Sequence, residues 1–126
     1  MVARMTEATT VRPCLVLAGF DGTIARAFRR CGWDVYLAVT GPEARRLARM
    51  VEADLVVLRT QLPEESGWLT CDKLTGELPS LRVVLVDPDP RSASLAEMVG
   101  AAAVVDIDGL AALVERKPGE TLVAAS

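Results

Sequence analysis

The chain has 126 residues, which is the size of one ordinary domain. Hydrophobic residues make up 51% and charged residues 25%, so the composition can supply both a buried core and a hydrated surface. The net charge of −3 argues against a nucleic-acid binder, and the lack of histidine excludes histidine-based acid–base catalysis and histidine metal ligation.

The first predicted elements follow a polar stretch, residues 1–11, which we expect to be a flexible tail without signal-peptide character. Cys14–Ala18 is a continuous apolar run, typical of a strand buried on both faces. A helical pattern comes next, and its apolar positions are Ile24, Ala27, Phe28 and Cys31. Gly32 stands where a left-handed residue commonly ends a helix.

A second strand and a second helix repeat this plan. Val35–Val39 predicts the strand, and Thr40–Pro42 predicts the start of the helix because proline is favoured in the first turn. The apolar stripe of this helix is Ala44, Leu47, Ala48 and Val51. Asp54–Leu58, rich in valine and leucine, predicts the third strand.

The second half of the chain continues the alternation. A loop at Leu62–Gly67 precedes a short helix near Trp68–Leu74, where we expect Trp68 to pack against the sheet, although an exposed tryptophan can also anchor a partner. The remaining elements are a strand at Leu81–Val86, a turn at Asp87–Pro90, a helix at Ser92–Val99, a weak strand at Ala102–Val105 and a helix at Asp108–Glu115.

Strands that alternate with helices through short loops predict a parallel sheet covered on both faces. Five such units favour an α/β, flavodoxin-like three-layer sandwich with a five-stranded sheet of order 2-1-3-4-5. We therefore expect one domain at residues 12–116, flexible tails at 1–11 and 117–126, and functional residues at the carboxyl ends of the strands. No apolar run approaches the roughly 18 residues of a membrane span.

Two segments carry a resemblance to a known family. The run DLVVLRTQLP begins at Asp54, and Gly67 follows its proline by four residues. The second segment, Gly100–Val105, precedes the last predicted helix. Over about residues 12–116 the chain resembles the CheY-like receiver domain of bacterial response regulators. The resemblance implies a cytoplasmic domain of two-component signal transduction and phosphorelay, joined to its pathway by protein–protein interaction.

The resemblance places the chemical positions of a receiver on residues that cannot perform their chemistry. These positions are Arg59 for the phosphoacceptor aspartate, Ala18 and Gly19 for the acidic Mg²⁺ pocket, Asp87 for the switch hydroxyl, and Ile107, or Asp106 after a shift of one, for the lysine. A guanidinium cannot accept a phosphoryl group by the aspartyl route. The resemblance therefore implies a degenerate pseudo-receiver without a phosphoacceptor, a metal, a cofactor or enzymatic activity.

Three alternatives remain open for Arg59. It can form a salt bridge with Asp87 that fixes the switch region, it can extend to solvent over apolar surface, or it can anchor a small-anion site.

Two further motifs suggest chemistry that their neighbours do not support. Asp21 lies in FDGTI, which resembles the opening of haloacid-dehalogenase phosphatases, but the nucleophile position there is Gly19. Asp106–Gly109 lacks the remaining ligands of a calcium loop. We expect Asp21 or Thr23 to cap the first helix, and we expect a helix cap in the Asp106–Gly109 segment as well.

The sequence predicts an interaction surface on the fourth helix, fifth strand and fifth helix, a face through which receivers commonly signal. Its candidate interface residues are Leu95, Met98, Leu110, Leu113 and Val114. The function that we expect is phosphorylation-independent signalling or adaptor activity, by homodimerisation or by docking to another protein, with no nucleic-acid or membrane partner. The alternative is a sensing module that binds a small anion or metabolite at the carboxyl end of the sheet.

Overall fold

The computed structural model describes residues 12–89 and 93–115, in which five strands alternate with five helices. The strands are β1 (Cys14–Ala18), β2 (Asp34–Ala38), β3 (Leu55–Arg59), β4 (Arg82–Val86) and β5 (Ala103–Val105). The helices are α1 (Gly22–Arg30), α2 (Gly41–Met50), α3 (Gly67–Glu77), α4 (Ala93–Met98) and α5 (Ile107–Val114). The predicted tails at 1–11 and 117–126 lie outside the described residues.

All five strands are parallel and lie in the order β2-β1-β3-β4-β5, which confirms the predicted three-layer α/β architecture. In the three central strands, β1, β3 and β4, the valine and leucine side chains are buried on both faces of the sheet, which helices cover. No helix in the described residues is long and apolar enough to cross a membrane.

Each face of the sheet has its own apolar cluster. On one face, α1 and α5 contribute Phe28, Leu110 and Val114, and Trp33 packs edge-on against Phe28 with ring centroids 6.5 Å apart. On the other face, α2 and α3 contribute Ala44, Ala48, Cys71 and Leu74. Trp68 packs against this second cluster, as the sequence predicts.

The ends of the helices follow local side-chain chemistry. The Asp21 carboxylate accepts a hydrogen bond from the Thr23 backbone N–H at 3.0 Å and caps α1, as predicted. Gly32 ends the same helix with a φ of 104°, which is the left-handed conformation expected there. Thr40 caps α2 by accepting from the Glu43 N–H at 3.1 Å.

Helix α3 is longer than the predicted Trp68–Leu74. Ser66 caps it one residue earlier than expected, accepting from the Leu69 N–H at 3.1 Å. The helix continues to Glu77 because Leu74 and Leu78 both pack into the apolar cluster beneath it.

The three cysteines are free thiols. Cys71 is fully buried in α3, and its burial raises the pKa of the thiol to about 12. Burial also raises the pKa of Cys14, at the start of β1, with a further contribution from Asp34. Cys71 therefore acts as a small apolar filler.

Candidate functional site

The candidate site lies at the carboxyl end of the sheet, where parallel strands place their last residues side by side. Arg59 is the final residue of β3, Gly19 directly follows β1, and Asp87 directly follows β4. Parallel register brings these three predicted positions to one edge of the domain. The fourth, Ala18, is the last residue of β1 and is fully buried.

Arg59 is held by the loop that follows β1. Its Nε donates a hydrogen bond to the Gly19 carbonyl oxygen at 2.7 Å, and its guanidinium carbon lies 4.5 Å from the centroid of the Phe20 ring. A guanidinium over an aromatic face gains a cation–π attraction in addition to the hydrogen bond. We call this pair of contacts the Arg59 clip, because it ties β3 to the β1–α1 loop.

Gly19 fits the Arg59 clip because it has no side chain. Its φ of 89° lies in the left-handed region, which L-residues with a Cβ disfavour. A Cβ at this position would stand 2.8 Å from Leu62 Cδ2 and 3.2 Å from Arg59 Cδ. A carboxylate at position 19 is therefore incompatible with the present placement of Arg59 and Leu62.

Asp87 does not pair with Arg59, and the predicted salt bridge is wrong for this structure. One Asp87 carboxylate oxygen accepts from the Thr60 hydroxyl at 2.8 Å, and the other accepts from the Asp89 backbone N–H at 2.7 Å. The Nε of Arg59, in turn, donates to the β1–α1 loop, on the opposite side of β3 from β4. Arg59 and Asp87 therefore each form hydrogen bonds with other groups and not with one another.

The last predicted positions lie at the start of α5. Asp106 caps that helix by accepting from the Gly109 N–H at 2.8 Å, as expected for this segment. Ile107 is its first residue and is 49% exposed. Neither side chain supplies the cation that the resemblance associates with this end of the fifth strand.

A buried carboxylate next to the site was missed by the sequence reasoning. Glu65, in the β3–α3 loop, is only 6% exposed, and three donors from α2 and α3 surround it. Arg45 reaches both carboxylate oxygens at 2.9 and 3.2 Å, Lys73 Nζ lies at 2.9 Å, and the Thr70 hydroxyl lies at 2.7 Å. We call this group the Glu65 cluster; it fixes the loop that begins immediately after Arg59 and Thr60.

The Glu65 cluster strongly favours the ionised carboxylate. Burial raises the pKa of Glu65, but the hydrogen bonds from Arg45, Lys73 and Thr70 outweigh it and bring the pKa down to about 2. Relative to the ordinary value of 4.5, this shift corresponds to about 3 kcal/mol of stability at neutral pH.

This shift predicts an acid-sensitive component of stability. Because the folded-state pKa of Glu65 is lowered, its contribution is complete above about pH 4.5 and is lost as the pH falls towards about 2. Urea unfolding between pH 6 and pH 2, on the wild type and on Glu65→Gln, measures the effect. The two stability curves should converge by about 3 kcal/mol across that window, whereas curves that stay parallel would rule out a depressed Glu65 pKa.

The predicted interface residues separate into two groups. Leu110 and Val114 are buried against the sheet, and Leu113 packs partly against the same cluster, so their placement on an exposed interface is wrong. Leu113 and Val114 follow Leu110 by three and four residues, which is the spacing of the inward stripe of an amphipathic helix. Leu95 and Met98 are 38% and 77% exposed on α4, as a surface role requires.

No family model and no curated protein matches this sequence. Solved structures do match. A DNA-binding response regulator of the LuxR family from Staphylococcus aureus is similar with a TM-score of 0.70 and 17% identity, over 90% of this chain and 98% of that chain. A response regulator from Burkholderia pseudomallei, solved with a phosphorylated aspartic acid, has a TM-score of 0.69 and 20% identity over 90% and 73% of the two chains. The non-phosphorylated HemR receiver domain from Leptospira biflexa has the same TM-score and identity, over 84% and 97%.

This chain has the receiver-domain fold. At 17–20% identity the likeness concerns the fold, so the functional interpretation of the receiver-like domain depends on its own residues. At the end of β3 this chain carries an arginine, and the Gly19 carbonyl holds its side chain.

Proposed function

We propose that this receiver-like domain is a signalling or adaptor module whose conformation is set by its own side chains rather than by phosphorylation, and that it acts by binding a protein partner rather than as an enzyme. The Arg59 clip is the observation that carries the proposal. It occupies the end of β3, where the resemblance places the phosphoacceptor, and it uses the Gly19 carbonyl of the neighbouring loop.

The chemistry of the site supports phosphorylation independence. Phosphoryl transfer to a receiver needs a carboxylate nucleophile and a divalent cation held by oxygen ligands. Here a guanidinium replaces the nucleophile, and the Gly19 carbonyl already accepts from it. A divalent cation placed about 4 Å from that guanidinium would be repelled by about 8 kcal/mol at an effective dielectric constant of 20.

Two further contacts support a single fixed conformation. The Thr60–Asp87 hydrogen bond joins the loops after β3 and β4, and the Glu65 cluster anchors the β3–α3 loop to both α2 and α3. In a domain that binds a partner without a switch, such contacts hold the binding surface ready in advance and lower the ordering cost of association.

Helix α4 offers the partner surface in this proposal. Leu95 and Met98 are exposed there, and Ala101 and Val104 in the adjoining β5 region are partly exposed. Adjacent exposed apolar side chains favour a protein interface, and we propose that a second copy of this chain is one partner.

Sedimentation equilibrium tests the surface. Met98→Glu should weaken self-association by about tenfold or more, since it places a charge in a desolvated contact. Met50→Glu is the matched control, because Met50 is also largely exposed (69%) but lies on α2 at the other edge of the sheet. Addition of acetyl phosphate and Mg²⁺ should not change the self-association measured for either variant. A protein that sediments as a monomer at all concentrations would end the homodimer proposal and leave docking to a different protein.

A further inference from the structure

A cavity of about 430 Å³ opens beside the Arg59 clip. It lies between the β1–α1 loop, the end of β3 and the start of α5. Its lining residues are Gly19, Phe20, Asp21, Thr23, Ile24, Arg59 and Ile107. Small-molecule sites in proteins commonly enclose about 300–1,000 Å³, so the volume suits a small ligand. Of these lining residues, only Gly19, Phe20 and Arg59 belong to the Arg59 clip, on which the proposed function rests.

Arg59 presents unused hydrogen-bond donors at the cavity. Its Nε is committed to the Gly19 carbonyl, whereas its two terminal amino groups form no hydrogen bond or ion pair with the residues that the structure describes. Stacking on Phe20 restricts the plane of the guanidinium. A planar guanidinium with its terminal edge available can hold a carboxylate through two parallel hydrogen bonds.

The charges around the cavity limit the ligand to one negative charge. Among the lining residues Arg59 is the single cation and Asp21 the single carboxylate. Asp21 is fixed as the cap of α1, where one of its oxygens accepts from the Thr23 N–H. A second negative charge on the ligand would find no second cation among the lining residues and would lie near this carboxylate.

The remaining walls are apolar. Phe20, Ile24 and Ile107 line the cavity, and Ile107 remains 49% exposed although it is a large aliphatic side chain. A compact apolar group placed there would cover this surface and gain from its removal from water.

We propose that the cavity binds a small monocarboxylate with a compact apolar body. The carboxylate lies on the terminal amino groups of Arg59, and the apolar body lies against Ile24 and Ile107. This site is additional to the proposed protein–protein function, which requires Nε of Arg59 but not the cavity.

Titration of ¹⁵N-labelled protein with isobutyrate, followed by NMR, tests the proposal. Isobutyramide serves as the uncharged isostere, and inorganic phosphate serves as the more highly charged anion. Ile107→Glu adds a negative charge to the cavity wall and leaves Arg59 in place; an acidic residue is favoured in the first turn of a helix, so this variant should fold. Ala111→Glu is its control, because Ala111 is exposed on the same helix and does not line the cavity.

The expected result is saturable binding of isobutyrate with shifts centred on residues 19–24, and no saturable binding of isobutyramide or phosphate. Ile107→Glu should weaken binding by about tenfold or more, and Ala111→Glu should leave it unchanged. Non-saturable shifts, equal affinity for isobutyramide or phosphate, or full affinity in Ile107→Glu would each overturn the site. If the wild type accepts a phosphoryl group, the proposed function is wrong, but the binding site in the cavity is not affected. Failure of the proposed function and failure of the cavity site are therefore distinguishable.

Discussion

Replacement of Glu65 by glutamine is expected to lower the free energy of unfolding by about 3 kcal/mol at pH 7. The substitution keeps the shape of the side chain but removes the charge that Arg45 and Lys73 both contact. An amide also presents hydrogens where these cations need an acceptor, so one of the donors loses its partner. Urea denaturation at pH 7 measures the change, and far-UV circular dichroism verifies that the variant folds.

The exposed ion pair between Arg49 and Glu77 supplies the matched control. Both of its side chains are nearly half exposed, at 45% and 49%, and the bond length of 3.1 Å is similar to those in the Glu65 cluster. Glu77→Gln should therefore cost no more than about 0.5 kcal/mol. Equal losses for Glu65→Gln and Glu77→Gln would show that burial of the Glu65 cluster has no energetic consequence.

Gly67→Ala is expected to destabilise the domain by about 3 kcal/mol or more. A Cβ at position 67 would collide with the Arg59 carbonyl oxygen and would stand 2.8 Å from the Thr60 Cα. Both are backbone atoms of the β3 end, so neither can move aside as a flexible side chain could. The Gly67 N–H also donates to the Thr60 carbonyl at 2.8 Å, and that contact would be lost if α3 shifted outwards.

Gly76→Ala, in the same helix, should have the opposite sign. Apart from its chain neighbours and the backbone of its own helix, no atom of the described residues lies within 4 Å of a Cβ built at position 76, and alanine restricts the unfolded chain more than glycine does. This variant should raise the free energy of unfolding by about 0.5–1 kcal/mol. Thermal and urea unfolding of both variants measure the two changes together. A Gly67→Ala protein as stable as the wild type would mean that α3 does not require its close approach to β3.

The fold could be predicted because its determinants are local and repeated. Buried parallel strands need continuous apolar runs, and Cys14–Ala18 and Val83–Val86 have this composition. The ends of α1 could also be predicted from the sequence. Asp21 and Gly32 have strong preferences for the ends of helices, and tertiary contacts did not override them.

The contacts of the site could not be predicted because they join residues that are distant in sequence. Arg59 bonds to a backbone carbonyl 40 residues earlier, and every residue presents such an acceptor without marking it in the sequence. Glu65 lies next to the exposed Glu64 in the sequence, and only its placement between α2 and α3 distinguishes the two. Their opposite charges suggested that Arg59 pairs with Asp87. In the structure Arg59 donates to the Gly19 carbonyl instead, and Asp87 accepts from the Thr60 hydroxyl.

The predicted interface was wrong for the residues of α5, and their spacing in the sequence already indicates why. Leu110, Leu113 and Val114 have the spacing of an inward helical stripe, and α5 is long enough to cover the sheet with it. Leu95 and Met98 lie on α4, where Ala96 is buried and these two side chains remain exposed.

Incubation of the wild-type protein with acetyl phosphate and Mg²⁺, followed by intact-mass spectrometry, tests whether the domain can be phosphorylated. A receiver domain with an intact acceptor aspartate, treated in parallel, verifies that the reagent is active. We expect the mass of this protein to stay unchanged, because Arg59 stands at the end of β3 and donates to the Gly19 carbonyl. The addition of a single phosphoryl group, mapped to a residue at the carboxyl end of the sheet, would contradict this expectation and identify a working phosphorylation site.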